Sequence, residues 1–200
     1  MDPAWKTGDV QTQTWEGRAG PADYRLEVPA LGSFPPFERF WREQARRLIR
    51  GLRSMGGPWP VELHASFQET RRDDAALSGF WDISRRTGHA GWDLSRVAAT
   101  FLPGSGSPQP LPVLFYPGRQ RRLPPLVQRE VLGLRQRGEC LLFRDCGARC
   151  LRELDPWRYY LTGEGLAVFY PQEVLGPRSA GLPTVLIPFD RMEGQLRFPF

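Results

Sequence analysis

Twenty-one glycines and 20 prolines stand among the 200 residues, about a fifth of the chain, against a usual share of about 12%. Both residues interrupt helices and central strands. Punctuation this dense disfavours a plain helical bundle and favours short elements joined by many turns. Hydrophobic residues at 40% and charged residues at 24% are ordinary globular values. A chain of this length can bury roughly 70% of its unfolded surface, so it needs no metal or disulfide to fold. No apolar run approaches the roughly 20 residues of a membrane span.

Residues 1–22 are polar and aperiodic and read as a flexible N-terminal tail. That leaves 23–200 as one α+β domain, divisible into subdomains 23–88 and 89–192. Tyr24, Leu26 and Val28 alternate as a strand closed by Pro29 and Gly32. Ser33 is placed to cap a helix that carries Pro35 and Pro36 in its first turn and runs to about Met55. Phe37, Phe40, Trp41, Ala45, Leu48, Ile49 and Leu52 draw one core-facing stripe along it, and burial of Trp41 and Leu48 is expected. Its other face carries Arg39, Arg42, Glu43, Arg46, Arg47, Arg50 and Arg53. Gly56-Gly57-Pro58 stops it.

A strand-rich stretch follows. Val61, Leu63, Ala65 and Phe67 alternate with Glu62, His64, Ser66 and Gln68, the pattern of a half-buried antiparallel strand with His64 on its polar face. Further strands are expected at Gly79–Arg86 and Trp92–Phe101, with a loop at 103–108. Helices are expected over Leu123–Arg137 and Asp145–Leu154. The segments 159–162 and 166–170 flank Gly163-Glu164-Gly165 as a hairpin whose turn calls for a glycine at positive φ. Thr184–Phe189 is the last strand. The order of elements predicts an α+β fold, an antiparallel sheet covered by amphipathic helices.

The net charge is +5, and Lys6 is the only lysine beside 26 arginines. Arginine forks suit phosphate, yet these arginines are scattered among Asp and Glu, and the longest cluster is only Arg119-Gln120-Arg121-Arg122. Arginine-biased coding explains the composition without a nucleic-acid partner. Cys140, Cys146 and Cys150 are odd in number, a count that suits a reducing compartment. Their C-x5-C-x3-C spacing lacks the paired short spacings of a zinc site, so Cys146 and Cys150 read as small hydrophobes.

No catalytic motif emerges. Gly104-Ser105-Gly106-Ser107 has no following lysine, which excludes a P-loop of the usual form, and there is no G-x-S-x-G elbow. Asp73-Asp74 sits among Arg71 and Arg72 as a charged turn. His89 is the one candidate general base, in a loop near Asp82, Ser84 and Asp93. No nucleophile, base and orienting group come together. Neither a metal nor a cofactor is expected.

The C-terminal run Tyr159-Tyr160-Leu161-Thr162-Gly163-Glu164-Gly165-Leu166-Ala167-Val168-Phe169-Tyr170 resembles the RsiV-like domain family, of the anti-sigma-V lysozyme receptor and PdaC-type peptidoglycan deacetylases. So does Ala180-Gly181-Leu182-Pro183-Thr184-Val185-Leu186-Ile187-Pro188-Phe189 downstream. The family pattern is an aromatic pair, Leu-Thr, two loop residues, Gly-Leu and an apolar strand, then an Ile-Pro-aromatic strand. Trp92-Asp93-Leu94 with Leu111–Phe115 is similar to an upstream family segment, and 87–91 to a degenerate form of its Gly-Gly-Ala-His-Gly loop. The resemblance covers about residues 24–192, with specific motifs at 159–189. It implies an α+β fold and a binding or sensing role without catalysis. Sigma-factor control does not carry over, because no sigma-binding segment or membrane span is seen.

The resulting expectation is a non-enzymatic binding or sensing domain from a bacterium, its ligand a protein or a peptidoglycan-derived glycan, and its candidate binding residues His89, Arg46, Arg50 and Arg53. One alternative is a small glycan-acting hydrolase or transferase using His89 and carboxylates. Another is a nucleic-acid-contacting regulator, which requires Arg46, Arg50, Arg53 and Arg119–Arg122 to form one patch. The N-terminus shows no apolar h-region, so a cytoplasmic location is expected, and an extracytoplasmic one if a leader has been trimmed.

Overall fold

The computed structural model describes residues 3–55 and 59–200. Its first strand, β1 (Gln11–Ala19), lies inside the segment read as a flexible tail. β1 turns through Gly20-Pro21 into β2 (Ala22–Ala30), and the two pair antiparallel from Ala19↔Ala22 to Gln11↔Ala30. Gly20 takes a φ of +61°, and a Cβ there would lie 3.1 Å from the Leu52 carbonyl oxygen, so this turn needs glycine on both counts. Ahead of β1, Trp5 is buried edge-on to Phe34, and its indole donates to the Asp73 carbonyl at 2.8 Å. The tail reading fails here for a physical reason. β1 is a sheet edge, exposed at most positions, so it carries no apolar alternation to reveal it.

α1 (Pro35–Arg53) is the expected helix. Pro35 and Pro36 fill its first turn, where a missing N–H goes unnoticed. Ser33 does not cap it: Phe34 holds the cap position, and the Ser33 hydroxyl donates instead to the Thr7 carbonyl. Phe37, Trp41, Ala45 and Leu52 are buried. Leu48 is only half-buried and borders a shallow cleft with Gln44, Met55, Leu63 and Val97. The Gly56-Gly57-Pro58 stop lies outside the described residues.

α1 is the crossover from β2 to β3 (Val61–Arg72), and these strands pair in parallel from Ala22↔Val61 to Leu26↔Ala65. β4 (Leu77–Thr87) and β5 (Asp93–Phe101) extend the sheet antiparallel, giving the order β1-β2-β3-β4-β5. The expected α+β class holds, with one parallel pair in an antiparallel-dominated sheet. Leu26, Leu63, Ala65, Trp81, Ile83 and Phe101 form with Phe37 and Trp41 of α1 the first core. Past Leu26 and Ala65 the parallel strands separate. There the Glu27 carboxylate accepts the Phe67 N–H at 3.0 Å and the Trp81 indole donates to the Glu27 carbonyl at 2.6 Å, so the parted backbone keeps its partners.

The β3–β4 turn contains Asp73-Asp74, a charged turn as its sequence suggests. The Asp73 carboxylate accepts the N–H groups of Ala75 at 2.8 Å and Ala76 at 3.0 Å, and Arg71 Nε at 2.6 Å. Burial pushes this carboxyl up, but Arg71 and the two N–H donors outweigh it and hold it below its ordinary value. A carboxyl depressed in the folded state contributes stability above its unfolded pKa and loses it as pH falls through the folded value. The melting temperature should therefore drop as the pH falls below about 4, and Asp73→Asn should flatten part of that drop. Acid profiles that superimpose for the two proteins would refute this role.

A second layer follows. α2 (Leu123–Gln136) and α3 (Cys146–Arg152) pack with a small antiparallel sheet of β6 (Tyr159–Leu161), β7 (Gly165–Phe169) and β8 (Thr184–Pro188) around a second core. Leu161 is buried there, as strand alternation predicts. Cys146 and Cys150 are buried in it as well, and burial pushes the Cys150 thiol up to about 11. The β6–β7 turn departs from expectation, because neither Gly163 nor Gly165 takes a positive φ. The Thr162 hydroxyl closes the turn instead, accepting from Glu164 N–H at 3.2 Å and Gly165 N–H at 3.0 Å.

The small sheet docks across one end of the large one. The Leu161 N–H donates to Ser78 Oγ at 2.9 Å, and the Thr70 hydroxyl donates to the Leu161 carbonyl at 2.6 Å. Arg71 reaches the Thr162 carbonyl at 3.1 Å while its guanidinium lies 5.0 Å from both the Phe189 and Phe200 rings.

Candidate functional site

Strand alternation sends Leu63 and Ala65 toward α1 and their neighbours to the opposite face of the large sheet. Pairing sets those neighbours in rows: Glu62 beside Arg86; Arg25, His64 and Ser84; Ser66, Asp82 and Arg96. At one end the rows are covered, with Tyr160 of β6 packed 4.7 Å from the Phe80 ring. The remainder is a polar floor on which His64 and Ser66 are exposed.

Where floor and small sheet meet there is a cleft of about 270 Å³, lined by Ser66, Asp82, Ser84, Ser95, Arg96 and Leu182 among others. Arg96 organises it. Its guanidinium grips both Asp82 oxygens, at 2.7 and 2.9 Å. The same group lies 3.9 Å from the Phe80 ring centroid and 5.5 Å from those of Tyr160 and Phe169. Its Nη1 also donates to the Tyr160 and Thr184 hydroxyls at 3.4 Å. A bidentate carboxylate on one side and three ring faces on the other leave this side chain little freedom. Burial pushes the Tyr160 phenol up, against the opposing pull of Arg96.

Beside the cleft, Trp92 stands 36% exposed, with the His64 ring at 5.6 Å and the Arg86 guanidinium at 5.0 Å. Arg86 also donates to Glu62 at 2.6 Å, and its Nε is buried without a hydrogen bond among the described residues. Segment 172–178 anchors this rim. Gln172 accepts the Leu94 N–H at 2.9 Å, and Arg178 donates to the Gly91 carbonyl at 3.0 Å and to Asp93 at 2.6 Å.

The chemistry on offer is hydrogen bonding, charge and stacking. Among the described residues neither His64 nor His89 is hydrogen-bonded to a hydroxyl or carboxylate, so no nucleophile is joined to a base. No group of three or more His, Cys, Asp or Glu side chains among them is placed to hold a metal ion.

None of the four residues singled out from sequence lines the cleft. His89 is exposed at the β4–β5 turn, its ring 6.5 Å from Trp59. Arg46, Arg50 and Arg53 lie exposed on α1, which covers the other face of the sheet. Arg119–Arg122 form a short turn leading into α2, in the second layer. The cleft residues escaped sequence reading because they come from β3, β4, β5 and the loop at 182. The alternation of Glu62, His64 and Ser66 was the one available signal, and it showed a polar face without showing what lies across from it.

No family model and no curated protein matches the sequence. Solved structures do match in fold. One, a DUF3298 family protein from Pseudomonas aeruginosa PAO1, superposes with a TM-score of 0.70 at 14% identity, covering 95% of each chain. Another, a DUF3298 member from Bacteroides fragilis NCTC 9343, gives 0.61 at 12% identity over 94% of this chain and 93% of that one. Over nearly its whole length, this chain has the fold of these DUF3298 structures.

Proposed function

We propose that the chain is a non-enzymatic binding domain of the RsiV-like type, and that its ligand is a cell-wall-derived glycan seated on the polar floor beside Trp92. DUF3298 is the domain found in RsiV- and PdaC-like proteins, so the fold and the Tyr159–Phe189 motifs support one family reading from separate directions. The observation that carries the ligand class is the pairing of an exposed indole with the floor side chains Ser66, Ser84, Asp82 and Arg96 of the cleft. A sugar ring presents hydroxyls around an apolar face, and an indole beside several polar groups complements both. A protein partner favours a core patch depleted in charge, whereas this floor carries the Glu62–Arg86 and Asp82–Arg96 ion pairs. The glycan-acting enzyme is the weaker reading, since His89 faces solvent away from the cleft.

Calorimetric titration with soluble muropeptide fragments tests the proposal. Binding should weaken about tenfold, the equivalent of 1.4 kcal/mol, in Trp92→Ala and in Ser84→Val. Absence of heat with the unaltered protein would overturn the glycan reading. Conversion of the fragments into new products would overturn the non-enzymatic one.

A further inference from the structure

α1 holds six arginines and two glutamates, a net charge of +4 out of the +5 carried by the whole chain. Half of those arginines are ion-paired on the helix itself. Arg42 pairs with Glu38 at 2.7 Å, and Arg47 and Arg50 share Glu43 at 3.4 and 2.9 Å. Arg39, Arg46 and Arg53 are exposed, and among the described residues none of the three has an acidic partner. They recur every seven residues. In a helix that places each about 10.5 Å along the axis from the last and turned about 20° from it. The product is a straight row of free guanidiniums about 21 Å long.

The shape of this row limits what it can meet. Arg39 and Arg46 border open surface clefts, one of them against the 106–108 loop, but neither cleft includes Arg53, so a small anion seated there meets only part of the row. The aromatic rings of α1 are turned inward, with Phe37 and Trp41 buried and Phe40 packed on Trp41 and Phe101, so no stacking platform for single-stranded bases accompanies the charge. A plane of laterally mobile phosphates needs neither enclosure nor register, only a straight array of cations.

We infer that α1 lays the protein on an anionic lipid bilayer surface through Arg39, Arg46 and Arg53. The orientation this imposes is informative. α1 covers one face of the large sheet and the polar floor is the other, so docking on α1 turns Trp92 and the cleft toward the aqueous phase. This inference stands apart from the glycan proposal, since it uses none of the same residues.

Co-sedimentation with vesicles of phosphatidylcholine, with and without about one-third phosphatidylglycerol, tests it. Binding should require phosphatidylglycerol and fade as salt is raised from about 0.1 M to 0.5 M, where screening shortens. Each arginine near an anionic surface is worth a factor of about five, so Arg39→Glu/Arg46→Glu/Arg53→Glu should weaken binding by at least about a hundredfold. Arg119→Glu/Arg121→Glu/Arg122→Glu alters net charge equally on another exposed segment and should weaken it far less. The triple glutamine variant of the α1 row guards against a folding artefact and should weaken binding in the same direction. Equal loss in the two glutamate triples, equal binding to neutral vesicles, or preferential capture by duplex DNA at matched phosphate would each overturn the inference.

Discussion

Replacing Trp41 by alanine should cost about 3–5 kcal/mol of stability and lower the melting temperature by about 10 °C. The indole is fully buried where α1 crosses the large sheet. Its ring lies 5.0 Å from Phe40 and 5.2 Å from both Phe67 and Trp81, with Phe37 at 6.2 Å. An alanine there leaves a cavity walled by four aromatic rings from three elements, and rings held by strands cannot readily close it. Trp41→Phe should cost much less. It keeps most of the packing and removes an indole N–H that is buried without a hydrogen bond among the described residues, a group whose burial costs about 1–3 kcal/mol. Urea unfolding followed by far-ultraviolet circular dichroism separates the two variants. Equal midpoints for alanine and phenylalanine would place Trp41 outside the packed core.

That burial was readable from sequence because a helix repeats its inward face every three to four residues, so Phe37, Trp41, Ala45 and Leu52 announce themselves. Strands β3 to β8 were legible for the matching reason, an apolar period of two or a short apolar run bounded by glycine and proline. β1 was not, since an exposed edge strand such as Gln11–Ala19 buries too little to leave a period. Nor was the parallel β2–β3 pair, whose register depends on how α1 crosses the sheet. The candidate site was the least legible part. Ser66, Asp82 and Arg96 share a row only through two ladders of hydrogen bonds, and Leu182 arrives from the second layer. The arginines of α1 could be listed from sequence, but which of them lack a partner depends on rotamers that bring Glu38 and Glu43 to Arg42, Arg47 and Arg50.

Gly165→Ala should be the more damaging of two alanine changes in a single tight turn, costing about 3 kcal/mol through forced backbone movement. The cause is proximity, not an unusual φ. Gly165 pairs with Pro188 of β8, and a Cβ at this position would collide with the Ile187 carbonyl oxygen and lie 3.0 Å from Pro188 Cα. A side chain could rotate aside, but a carbonyl inside a ladder cannot. The end of β8 would have to move, and with it the Phe189 N–H bond to the Glu164 carbonyl and the stacking of Phe189 on Phe200. Gly163, two residues earlier, has open space around its Cβ direction and no positive φ. Alanine there should change stability by no more than about 0.5 kcal/mol. Affinity for muropeptide fragments should be unchanged in both variants, because Phe169 and Thr184, the neighbours of Arg96, form the opposite end of the β7–β8 ladder. Equal melting temperatures for the two would show that β8 yields freely at Ile187. Lost affinity at an unshifted melting temperature would make the turn itself part of the ligand site.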